Sequence, residues 1–170
     1  TQINNDIVQE NNIFIPINAE VKINHITLKN RLPESRRLSI YYALNLSMGE
    51  ERNKNIGKVK VTQKDNFITL ENTCKSEFGD KIELTASIPI KSYANNKSEF
   101  FDEDMNVIGV NKKELKSEGN ISIENEVIIE IPVELEGYEK KNVNIILGKN
   151  VSEFFEEEKV EKAFGEVEDY

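Results

Sequence analysis

The chain has 170 residues, is 38% hydrophobic and 31% charged, and carries a net charge of −9. A chain of this length suits one domain that buries roughly 70% of its unfolded surface, so no disulfide or metal staple is needed. One cysteine, Cys74, and one histidine, His25, exclude an intrachain disulfide and a Cys/His zinc centre, and leave a triad-type mechanism a single candidate base.

The charge is uneven. Residues 151–170 hold eight acids against two lysines, which is −6 of the −9. The body is close to balanced, and phosphate contact demands a basic patch, so no nucleic-acid partner is expected. No apolar run approaches the ~20 residues of a membrane helix, so no membrane-spanning segment is expected. With Thr1 first, the chain reads as a trimmed or excised segment. No compartment is legible, an extracellular or cell-surface setting being favoured over the cytoplasm.

In chain order, residues 1–12 are polar and read as a flexible N-terminal segment. Ile13 to Ile17 is a short apolar stretch interrupted by Pro16. Val21 and Ile23 share one parity, Ile26 and Leu28 the other, which predicts a bulge near Asn24 and His25. From Arg37 to Met48 the alternation is strict: Leu38, Ile40, Tyr42, Leu44, Leu46 and Met48 define one apolar face. This stretch is expected to be the central strand.

Strands follow at Lys58 to Thr62 and Phe67 to Leu70, joined by a turn at Lys64-Asp65-Asn66. Ile82 to Ile90 and Val127 to Leu135 alternate cleanly, and Val143 to Leu147 is the last strand. An acidic hairpin is expected around Asp102 to Asn106, and a short helical turn within Asn111 to Asn120. Three strings, Ile15-Pro16-Ile17, Ile88-Pro89-Ile90 and Ile131-Pro132-Val133, place prolines that cannot donate to a ladder, so each belongs at an edge, a strand end or a bulge.

Eight or nine short strands without amphipathic helices between them predict an all-β fold. The architecture expected is an antiparallel β-sandwich, immunoglobulin-like or jelly-roll-like, over residues 13–150. The acidic tail, 151–170, is expected to be helical or disordered. Its two apolar sets, Val151 with Phe154 and Phe155, and Val160 with Ala163, Phe164 and Val167, point in nearly opposite directions on one straight helix. A kink near Glu158, or two different docking surfaces, would reconcile them.

Chemistry-bearing patterns are sparse. Asp102, Asp104 and Asn106 occupy the first three ligand spacings of a calcium loop, but Val107 stands where glycine is required and Lys113 where the closing glutamate belongs. No glycine-rich phosphate loop occurs. The strings SEFFDED (Ser98 to Asp104) and SEFFEEE (Ser152 to Glu158) are a near-repeat. Glu99, Phe100, Phe101 and Asp102 resemble the start of the eukaryotic two-phenylalanine acidic motif that binds MSP domains, and that resemblance implies a protein partner. FFDEDMNVIG also resembles the hairpins of immunoglobulin-like bacterial surface domains, without their turn glycine.

The function expected is a non-catalytic protein-interaction or structural assembly module, working through sheet faces or edges and the acidic tail. Its partner is a protein or a second copy, and Phe154, Phe155, Val160 and Phe164 are the expected partner-binding residues. No cofactor and no catalytic residue are expected. A small-ligand-binding β-barrel and a carboxylate-dependent hydrolase are the alternatives.

Overall fold

The computed structural model describes residues 1–46, 59–73, 81–96, 98, 100–102, 115 and 125–168. The fold is an antiparallel β-sandwich with one short C-terminal helix. Ten strands occur among the described residues: β1 (Gln2–Asn4), β2 (Ile7–Phe14), β3 (Val21–Asn30), β4 (Arg36–Asn45), β5 (Val59–Lys64), β6 (Phe67–Asn72), β7 (Lys81–Ala86), β8 (Ser92–Ala94), β9 (Glu126–Leu135) and β10 (Lys140–Gly148). A 3-10 turn (Val151–Phe154) and α1 (Glu157–Glu168) close the order. The chain forms two compact units: residues 1–39, 83–89 and 132–170, and residues 40–82 and 90–131.

In the first unit β1, β2, β3, β10 and β7 are neighbours in that order. The register of β3 with β10 is unbroken from Lys29↔Lys140 to Val21↔Gly148. That of β2 with β3 runs from Ile7↔Asn30 to Phe14↔Ile23. The expected bulge at Asn24 and His25 is therefore absent. The two parities of β3 are both apolar because both faces are covered. Ile26 and Leu28 share a face with Val143, Ile145, Ala86 and Leu84, all buried, on the sandwich interior. Val21 and Ile23 share the opposite face with Phe14 and Ile146, and there α1 packs, with the Phe14 and Phe164 rings 5.3 Å apart.

Residues 1–12, read as flexible, are instead strand. Gln2–Asn4 pairs with Ile7–Gln9 through a turn at Asn5 and Asp6, both with left-handed φ. Their polarity reflects exposure, since β2 is exposed from Gln9 to Ile13. β4 is not the centre of the fold. Its Leu38, Ile40 and Tyr42 are only half-buried, and only Leu44 on the strand and Leu46 just beyond it are buried. β3, paired on both edges and covered on both faces, holds that position. Met48 lies outside the described residues.

The tail is ordered through Glu168. A break at Phe155 and Glu156 resets the helical phase, and it is this break that reconciles the two opposed apolar sets. Val151 is buried on the 3-10 turn, Val160 and Ala163 on α1. Glu157 and Glu158 sit in the first turn, where the helix dipole favours acids. Lys162 pairs with Glu166 at 3.8 Å one turn on.

The second unit contains the β5–β6 hairpin, in register from Val59↔Asn72 to Lys64↔Phe67, with Asp65 in the left-handed region at the expected turn. β4, β9 and β8 are neighbours in that order. Glu130 on β9 is 4% exposed; its carboxylate accepts the Ser92 hydroxyl at 2.9 Å and lies 3.6 Å from Lys91 Nζ. Burial raises the pKa of neighbouring Tyr93. The prolines behave as anticipated. Pro16 follows the end of β2 and Pro89 follows β7. Pro132 lies in β9 two residues past Glu130, the last residue paired with β8, so no donor is missed on that side.

The β9–β10 turn is fixed by fully buried Asn30. Its Nδ2 donates to the carbonyls of Glu34 (2.7 Å) and Glu136 (3.0 Å), and its Oδ1 accepts from Leu32 N–H at 3.1 Å. Gly137 is required here: a Cβ would come within 2.0 Å of the Pro33 carbonyl oxygen. The next residue, Tyr138, is left-handed (φ 61°) and 64% exposed, with its N–H donating to Leu32 O. Glu139 closes the turn, its carboxylate accepting Glu136 N–H at 2.7 Å and lying 3.4 Å from Lys141 Nζ.

Gly137→Ala is expected to lower stability by about 1–3 kcal/mol, because backbone must move to admit the methyl. Gly165→Ala, on α1 with open space around its Cβ, is expected to raise it by about 0.5–1 kcal/mol. Urea unfolding midpoints read both. The backbone hydrogen bond from Glu136, and then Lys141, hold the Glu139 pKa below the usual carboxylate range. A lowered folded-state pKa adds stability at pH above the unfolded value, and that stability is lost as pH falls through the folded value. Glu139→Gln should therefore cost stability near neutrality and cost less at an acid pH, as the carboxylate protonates. Parallel denaturant series at the two pH values check this.

Candidate interaction surfaces

Among the described residues, two of the grooves lie in the first unit. One, of about 350 Å³, is lined by Pro16, Ile17, Glu153, Phe154, Lys159, Lys162, Ala163 and Glu166. Its apolar floor comes from the end of β2 and from the tail; its rim is charged. The chain leaving β2 alternates sides. Phe14 turns in beneath Phe164, while Ile13, Ile15 and Ile17 are 60%, 64% and 47% exposed. Ile17 lines the groove itself, and Ile13 and Ile15 add exposed apolar surface at the two alternate positions before it.

The four residues expected to bind a partner divide. Phe154 lines this groove, and Phe155 next to it is 37% exposed. Val160 has no exposed surface, and Phe164 lies on Phe14 and His25, the latter at 6.0 Å with rings 20° apart. Val160 and Phe164 thus pack α1 against its own sheet, Val160 fully buried and Phe164 partly so. The Ile13 to Ile17 row was the part of this surface that sequence reasoning missed. Its signal was the Ile-Phe-Ile-Pro-Ile run, which read only as a short apolar stretch interrupted by Pro16, because nothing in it said which residues were covered.

The second groove, of about 410 Å³, is lined by Ser87, Ile88, Pro132, Val133, Glu134, Lys141, Asn142, Asn144 and Glu157. Asn142 and Asn144 lie two apart on β10, so they share a face, which is the face α1 covers further along. Thr27 Oγ donates to Asn142 Oδ1 at 2.9 Å, and Asn142 Nδ2 donates to Glu157 Oε1 at 3.0 Å. His25 Nδ1 is 2.7 Å from Asn144 Oδ1, so the Nδ1–H donates to that oxygen. Ser87 clasps the Asn144 backbone twice: its N–H donates to Asn144 O and its Oγ accepts Asn144 N–H, both at 2.9 Å. Lys141 Nζ donates to Glu134 O at 2.6 Å, and Arg37 Nε donates to Glu134 Oε1 at 2.9 Å. That carboxylate raises the Arg37 pKa further above its ordinary value, through the hydrogen bond first and charge second.

His25 is thus a strand histidine, stacked on Phe164 and bonded to an amide. Of the calcium candidates, Asp102 is exposed, while Asp104 and Asn106 lie outside the described residues. Among the described residues no three His, Cys, Asp or Glu side chains are grouped to hold a metal. In the second unit, Phe100 is 8% exposed and packs with Ala94, Leu115 and Ile128, the Tyr41 ring at 4.7 Å and the Phe101 ring edge-on at 4.7 Å. Phe100 is therefore core, with Phe101 partly buried against it. Most of the expected acidic hairpin, and the helical turn expected within Asn111 to Asn120, lie outside the described residues. No helix among the described residues is long and apolar enough to cross a membrane.

Comparison with curated proteins gives no match. Among solved structures, one titled "Putative kojibiose phosphorylase from human microbiome" is similar at 13% identity and a TM-score of 0.39, covering 84% of this chain and 17% of that one. The chain thus spans about one sixth of that protein's length. The model of the family described as "Glycosyl hydrolase 94, supersandwich domain", a non-catalytic accessory domain of such enzymes, matches residues 1–170. The chain belongs to that family.

Proposed function

We propose that this chain is a non-catalytic assembly module that docks onto the catalytic portion of a glycoside hydrolase 94 enzyme. Docking uses the Ile13 to Ile17 row and the adjoining groove with Phe154 and Phe155. The family membership across residues 1–170 supports the kind of enzyme. The single observation that carries the docking surface is three isoleucines within five residues left at 47–64% exposure, the last of which lines the groove. A sheet edge ordinarily blunts such a row with charge. Here the charges, Lys159, Lys162, Glu153 and Glu166, stand at the rim, which is the arrangement of an apolar interface centre with a polar border. The acidic tail contributes the far wall of the groove.

The test is co-elution of the chain with a separately expressed catalytic portion of a glycoside hydrolase 94 enzyme, by size-exclusion chromatography with light scattering. Ile15→Asp with Ile17→Asp is expected to weaken association about 30-fold or more, as loss of central anchors does, while leaving circular dichroism and unfolding midpoint unchanged. Co-elution unaffected by the double substitution would remove this surface from the reading. Homodimers at micromolar concentration, broken by the same pair, would replace the catalytic portion with a second copy. Turnover of a glycoside by the chain alone would overturn the non-catalytic assignment.

A further inference from the structure

We propose that the second groove, on the β10 face beside the start of α1, is a binding site for a neutral polyhydroxylated ligand, a sugar unit of an oligosaccharide. The chemistry of the lining selects the class. An anion would meet the Glu134 and Glu157 carboxylates, and a cation would meet the Lys141 ammonium. What remains is a ligand that donates and accepts at many points without net charge.

The polar groups are held ready for one. Asn144 is 2% exposed, Thr27 8% exposed, and both are fixed by partners inside the unit. The Asn142 carboxamide is clamped between Thr27 and Glu157. Valence counting then leaves capacity facing outward. A carboxamide nitrogen has two protons, and Asn142 gives one to Glu157; a carboxylate has about four acceptor sites, and Glu157 uses one on Asn142. The pair offers a donor beside an acceptor, which is the pattern two adjacent hydroxyls require.

The lining also includes apolar groups, Pro132 and Ile88 with the buried Val133 behind them. Such groups suit the C–H face of a pyranose ring, so the groove offers both polar and apolar contacts to one ligand. Its volume of about 410 Å³ lies in the range of small-molecule sites. The groove lies within one compact unit, so the isolated chain contains all of it.

The test is titration of the full chain with glucose and with α- and β-linked glucose disaccharides, followed by amide chemical shifts. Saturable, millimolar shifts are expected, centred on Ser87, Asn142 and Asn144 for at least one sugar. Glu157→Gln, on exposed surface, is expected to weaken that binding several-fold, and Asn142→Ala about tenfold, as loss of one to two hydrogen bonds does. Ile17→Asp, in the other groove, is expected to leave it unchanged, which separates this site from the docking surface. If Asn142→Ala fails to fold, Glu157→Gln decides the matter. No saturable shift with any of these sugars, or shifts centred elsewhere, overturns the proposal. So do shifts at these residues produced equally by phosphate or by magnesium.

Discussion

The double cover of β3 is the constraint from which the rest follows. A strand in an antiparallel sheet ordinarily has one wet face. β3 has neighbours on both edges, the sandwich interior on one face and α1 on the other. That requires a chain whose C-terminal stretch folds back over its N-terminal strands, and it requires Ile23 and Leu28, on opposite faces, both to be apolar. The acidic composition of the tail is compatible with this because the acids of α1 are exposed, while Val160 and Ala163 are buried.

The face under α1 is not uniformly apolar. Past Ile23 and Ile146 it carries His25, Thr27, Asn142 and Asn144, each joined to a partner across β3 and β10 or on α1. Buried amides cost stability unless bonded, so the ladder fixes the relative positions of β3, β10 and the helix start more narrowly than oily contacts alone do. The aromatic stack of Phe14, Phe164 and His25 ends the apolar part, and the amide ladder begins where it ends. The helix thereby shields the apolar end and leaves the polar end open as a groove.

Much of the architecture was legible in the sequence. Strict two-residue alternation in β9, and polar turns such as Asp65-Asn66, are local signals, and the sandwich class follows from them. The parity switch in β3 was visible but ambiguous, because a bulge and a second cover produce the same string. What distinguishes them is a helix more than a hundred residues away. For the same reason Val160 and Phe164 read as free partner residues: an amphipathic stripe says that something covers it, not what. β4 was overrated because alternation reports which face is apolar and not how completely a neighbour covers it. The amide groove had no sequence signature, since Thr27, Ser87, Asn142 and Glu157 come from four separate stretches.

The first unit draws on residues 1–39, 83–89 and 132–170, and Thr27 meets Asn142 across 115 positions. On a ribosome adding about 5–20 residues per second, the β2–β3 hairpin waits roughly 6–23 s for its remaining neighbour. During that delay Ile23, Ile26 and Leu28 stand uncovered and one edge of β3 is open to any passing strand. The lysines at 22 and 29 at either end of β3, and the polar run Gln9 to Asn12 alongside, are the groups that oppose association in that interval.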